Sequence, residues 1–188
     1  MARGRTGASA GASARELVLK PYYQDSLVTI YNADNREVFS VLSLVDHIIT
    51  DTPFSERTHK GHNASASGHA RFGNDGAERK VLPYTHMTDE DCQFYANAFC
   101  SVSTGWTVWM SDSILIPAIH NALQPHRYVF APIPFIDPGS RVRLSGDGPS
   151  SWTTWITVAR TPKLSRWGTL PGGYIAKEGW RERLHMGG

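Results

Sequence analysis

The chain reads as an α/β protein with a mostly parallel sheet, and its pattern of runs and turns says so. Short β-branched or aromatic runs alternate with stretches of helical spacing through the first two-thirds of the sequence, the pattern of strand-crossover-strand units. The length, 188 residues, with 40% hydrophobic and 19% charged content, suits one domain with a real core. No internal repeat interrupts this reading.

The elements follow in order. Residues 1–16, "MARGRTGASAGASARE", are basic and rich in small residues, and read as a disordered tail ahead of a single domain over 17–188. An apolar run from Leu27 to Tyr31 is a strand, and after the turn signal at Asn32–Asn35 "REVFSVLSL" is a short helix. "DHIIT" is a second strand, short and β-branched. Residues 55–85 read as a long loop rich in Ser, Gly, His and Arg. "MTDEDCQFYANAFCSV" opens on an N-cap, Thr88, with Asp89, Glu90 and Asp91 in the first turn, where the helix dipole favours acids. Phe94, Ala98 and Val102 mark one apolar face, with Tyr95 and Phe99 beside it. "GWTVWMSD" is a strand, "SILIPAIHNALQ" a helix interrupted by Pro117, and "RYVFAPI" and "WTTWITVAR" are strands around a loop, "DPGSRVRLSGDGPSS". The remainder reads as irregular.

Composition bounds the partners. A net charge of +2 does not by itself announce nucleic acid, so a basic patch must come from local clustering. No apolar run approaches the roughly 20 residues of a membrane span, and the tail lacks the apolar region of a secretory signal. Cys92 and Cys100 fall on one helix, where eight residues separate their Cα atoms by roughly 12 Å, too far for a disulfide. The cysteines suggest a reducing compartment and, with the absence of a signal, a cytoplasmic location.

The chemistry concentrates where the "DHIIT" strand ends. Asp51, Thr52, Pro53 and Phe54 stand at its carboxyl end, the side on which open α/β sheets bind ligands. Pro53 stiffens the turn, the Asp51 carboxylate offers acceptor lone pairs, and Phe54 offers a flat apolar face. An acid and a ring so placed can hold an exocyclic amine and stack the base that carries it.

These residues resemble the catalytic motif of amino-group DNA methyltransferases, usually Asp/Asn-Pro-Pro-Tyr/Phe. "IITDTPFSERTH", "RYVFAPIPFIDPGSRVRLSGDGPSSWT" and "RWGTLPGGYI", in that order, resemble the phage- and prophage-type site-specific members of that family, including those of restriction-modification systems. The resemblance runs from about Ser26 to the last residue. It implies a Rossmann-like methyltransferase sheet and S-adenosylmethionine as methyl donor. It also implies double-stranded DNA as partner, with an adenine N6 or cytosine N4 amine as acceptor. The base is flipped from the duplex and stacked on Phe54. Its amine is held by Asp51 and a backbone carbonyl of the Thr52–Pro53 turn, so that positioning and electrostatics carry catalysis. No cysteine nucleophile is needed.

Two departures qualify this. Thr52 stands where the family usually has its first proline, which restores a backbone N–H and loosens the turn unless the hydroxyl finds a local bond. The glycine-rich cofactor loop, which the family places after the catalytic motif, is not found; "LPGGY" and "HMGG" neither follow a strand nor open a helix. The expectation is a sheet whose central cofactor-binding strands are absent, cut off before the cofactor motif, with a second polypeptide or longer parent supplying that half. The alternative is a catalytically inactive, DNA-binding remnant. With those strands missing, either the Leu27–Tyr31 strand pairs elsewhere or an apolar sheet edge is exposed.

Other candidates carry plainer readings beside the functional ones. Asp34 resembles the acid near the cofactor adenosine in relatives, but with the cofactor motif not found it reads first as an Asx turn or helix N-cap. Arg57, Lys60, Arg141 and Arg143 suit phosphate contact or an ordinary solvated surface. His59, His62, His69 and His86 lack the placement of a zinc site, so no metal is expected. Trp106, Trp109, Trp152 and Trp155 alternate at strand spacing and read as packing residues.

Overall fold

A computed structural model describes residues 19–66, 81–138, 151–163 and 171–176. The fold is mixed α/β, and it divides after Leu42 into two units, Met1–Leu42 and Ser43–Gly188.

In the first unit, β1 (Tyr23–Gln24) pairs antiparallel with β2 (Thr29–Ile30). Asp25 makes the turn: its carboxylate accepts the amides of Leu27 at 2.8 Å and Val28 at 2.7 Å, and the Tyr23 hydroxyl at 2.7 Å. Asp34 then caps α1 (Asn35–Val41), its Oδ1 accepting the Arg36 amide at 2.8 Å.

The second unit holds β3 (Ile48–Asp51), α2 (Glu56–Ala66), α3 (Asp89–Val102), β4 (Trp106–Ser111), α4 (Ile116–Leu123), β5 (Tyr128–Val129), β6 (Ile133–Ile136), β7 (Thr153–Arg160) and β8 (Tyr174–Ile175). The sheet order is β3-β4-β7-β6-β8, with β5 also on β7. Only β3–β4 and β6–β8 are parallel; β7 runs against β4, β5 and β6. The sheet is therefore mixed rather than mostly parallel, because its longest strand, β7, reverses direction between β4 and β6. The Leu27–Tyr31 run supplies β2, which pairs with β1 in its own hairpin, and among the described residues β3 has one strand neighbour, β4, with Ile49 75% exposed.

The core lies between α3, α4 and one face of the sheet. Along β4, burial alternates, so that Thr107, Trp109 and Ser111 point into the core. The Trp109 ring meets Phe99 of α3 edge-on at 5.0 Å, and Ile119 and Leu123 of α4 are fully buried nearby in the same core. The buried stripe of α3 is Cys92, Tyr95, Ala96, Phe99 and Val102, which corrects the face read from sequence: Phe94 is exposed. Thr88 caps α3 in a reciprocal box with Asp91, as expected. Pro117 does not interrupt α4; it sits in the first turn, where its missing N–H costs nothing.

Two contacts join the amino ends of β3 and β4. The Trp106 amide donates to His47 Nδ1 at 3.0 Å. A Cβ on Gly105 would lie 2.4 Å from His47 Nδ1 and 2.5 Å from the Asp46 carbonyl oxygen, so only glycine fits. Arg127, buried beyond α4, turns its guanidinium onto the end of α3, donating to the carbonyl oxygens of Ser103 at 2.6 Å and Gly105 at 3.1 Å. That satisfies acceptors at a helix carboxyl terminus and places positive charge where the dipole favours it.

Candidate active site

The site is built where β3 and β4 end side by side. Asp51 pairs with Met110 as the last step of the parallel register. Beyond it the chain turns through Thr52, Pro53 and Phe54 into α2. The 55–85 stretch is thus not one long loop: α2 occupies its start, supported by an i,i+4 ion pair between Glu56 and Lys60 at 2.7 Å. Its Ser, Gly and His content hid it, since these residues are weak helix formers.

Thr52 is buried, 7% exposed, and its hydroxyl oxygen accepts the Trp109 indole N–H at 2.9 Å. The expectation of a local bond for this hydroxyl is corrected: the partner comes from the neighbouring strand, 57 residues on. Pro53 and Phe54 are half-buried, and the Phe54 carbonyl accepts the Met87 amide at 3.1 Å. Ser55 is buried and donates twice to Asp112 Oδ2, from its amide at 3.0 Å and its hydroxyl at 2.5 Å. The Thr58 hydroxyl donates to the same oxygen at 2.6 Å. Asp112 Oδ1 accepts the amides of Ile114 at 3.1 Å and Leu115 at 3.2 Å.

The two carboxylates live in opposite environments. Packing around Asp51 removes water from its carboxyl and raises its pKa above the usual value. Burial pushes Asp112 the same way, but the donors from Ser55, Thr58 and Leu115 outweigh it, and its pKa is lowered.

Asp51 opens into a cavity of about 580 Å³. The turn residues Thr52, Pro53 and Phe54 form one wall, Thr58 and His59 of α2 another, and Leu82 and Tyr84 a third. His59 Nε2 donates to the Tyr84 carbonyl at 2.6 Å, and its ring meets that of Tyr84 edge-on at 5.7 Å. The cavity thus offers one acidic acceptor among flat, largely apolar surfaces, a setting suited to a planar ligand with an N–H donor.

The remaining candidates scatter. Asp34 belongs to the first unit, with a carboxylate oxygen on the Arg36 amide. Arg57 and Lys60 lie exposed on α2, Lys60 in the pair with Glu56. Arg141 and Arg143 lie outside the described residues. No group of metal-ligating side chains occurs among the described residues, and none of their helices is long and apolar enough to cross a membrane. Both cysteines are free; burial, with the charge of Asp89 and Asp91, pushes the Cys92 thiol up to about 12. Of the tryptophans, Trp109 is core, while Trp152 is 41% exposed.

Sequence reading missed Asp112, Ser55, Thr58 and Tyr84, and read Trp109 as a packing residue, which it is, without its bond to Thr52. The rule that singled out Asp51, an acid at the carboxyl end of a strand, applies equally to Asp112 after "WTVWMS". No model of a protein family matches the chain, and no curated protein matches it.

Proposed function

We propose that this chain carries the catalytic and target-binding part of an amino-group DNA methyltransferase with a Rossmann-like sheet. Its role is to hold the exocyclic amine of a flipped adenine or cytosine for methylation by S-adenosylmethionine. The observation that supports this reading is Asp51, at the carboxyl end of an edge strand and partly desolvated, facing a cavity beside Phe54. An amine donating to Asp51 replaces the water its carboxylate has lost, and a base on Phe54 gains stacking of roughly 1–3 kcal/mol. The double-stranded DNA around it would be met by exposed cations such as Arg57.

The described residues do not fit S-adenosylmethionine. No glycine-rich strand–turn–helix occurs among them, and the Asp34 carboxylate is engaged in capping α1. The proposal therefore assigns cofactor binding to a second polypeptide or a longer parent chain. The same lack favours a second reading, a DNA-binding remnant that transfers nothing.

Calorimetric titration of the purified chain with S-adenosylmethionine, with and without a DNA duplex, tests both. Heat from duplex binding that salt suppresses, with none from cofactor, supports the binding part. Absence of duplex binding at low salt overturns the proposal. Cofactor binding by the chain alone overturns the assignment of that half to a partner.

A further inference from the structure

The parallel register of β3 and β4 ends at Asp51 and Met110, yet the turn beyond it is not loose. Trp109 holds Thr52, and Asp112 holds Ser55; each pair spans 57 residues, so side chains continue the alignment that the backbone ladder stops making. Between these two fixed points lie Pro53, whose ring restricts φ, and Phe54, whose carbonyl is tied to Met87. The Asp112 end is the stronger. Five donors converge on one carboxylate: two from Ser55, one from Thr58, and the amides of Ile114 and Leu115. An ionised carboxylate is acceptor-only, with about four lone-pair sites shared among these donors, whereas an asparagine would turn an NH₂ toward part of that set. Asp112 is 9% exposed and does not line the cavity.

We infer that Asp112 is a positioning residue for the Asp51–Phe54 turn, acting through Ser55 and Thr58 and assisted by the Trp109–Thr52 bond. What the turn is positioned for rests on the proposed amine-binding role; the positioning itself does not. The two strand ends thereby work as one unit, with one acid presented to a ligand and the other spent on holding it there. This arrangement also gives Thr52 a role: it supplies an acceptor that a proline would lack, so the turn is held by a hydrogen bond across strands.

The test needs neither cofactor nor DNA. The full chain is labelled with carboxyl-¹³C aspartate, and the Asp51 resonance is followed through an acid titration in the unaltered protein, Ser55→Ala and Asp112→Asn. Gly105→Ala, away from the turn, serves as a control for general destabilisation. The expected result is an Asp51 midpoint above that of an ordinary aspartate in the unaltered chain and the control. In Ser55→Ala and Asp112→Asn it shifts down toward the ordinary range, with far-ultraviolet circular dichroism unchanged. An Asp51 midpoint that stays put in a folded Ser55→Ala chain overturns the inference. Loss of the fold in Ser55→Ala overturns it too, by making the contact a structural one. Failure of DNA binding in the calorimetry would leave this result standing, so the two proposals fail separately.

Discussion

The Asp112 carboxylate and the Ser55 hydroxyl meet at 2.5 Å, joining the residue after one parallel strand to the residue just before the helix that follows the other. Because hydrogen bonds hold the folded pKa of Asp112 below 3.8 despite its burial, its contribution to stability has a definite pH sense. It is fully present above the unfolded value and is lost as pH falls through the lowered folded value. Unfolding free energies from urea titration of the unaltered chain and Asp112→Asn should therefore differ most near neutral pH, by an amount on the order of 3 kcal/mol. The gap should narrow as pH falls through the lowered folded value of Asp112.

Asp51 carries the opposite sign. Its folded pKa is raised by desolvation, so the ionised group costs stability at neutral pH, and that cost fades as pH falls through the raised value toward 3.8. Asp51→Asn should leave the chain as stable or more stable at pH 7, with the advantage vanishing in acid. Chemical denaturation at the two pH values decides it.

Thr52→Val keeps the shape of a buried side chain and removes the acceptor of the Trp109 indole. A buried donor left unpaired costs about 1–3 kcal/mol, readable in a urea titration followed by tryptophan fluorescence. Thr52→Pro should be destabilising by a similar amount, since proline supplies no acceptor either.

Gly105→Ala brings a methyl group against His47 Nδ1 and the Asp46 carbonyl. Backbone must move to make room, at about 1–3 kcal/mol. For a domain of this size that lowers Tm by roughly 2–4 °C per kcal/mol, visible in a thermal melt.

Much of the fold could be read from the chain because its signals are local. Thr88 and its following acids announce a helix start, and the β-branched run before Asp51 announces a strand. What could not be read depends on partners far away in sequence. The reversal of β7 is decided by pairing with β4 and β6, and α2 forms despite weak propensities. The site divides the same way. Asp51 to Phe54 stand out because they are contiguous. Asp112 does not, because an acid after a strand looks like any turn residue until the register sets it beside Ser55.

Among the described residues, β3 is held on one side only, by β4. A strand with a single neighbour is where a sheet breathes, since opening it breaks one ladder instead of two. Deuterium should enter the β3 amides before those of β4. The acid that faces the cavity therefore sits on a strand with one neighbour, while the acid that holds the turn follows the strand one further in. Any strand that closes the outer rim of β3 would lengthen the time Asp51 spends in place, and occupancy of that rim would act as a dial on the site.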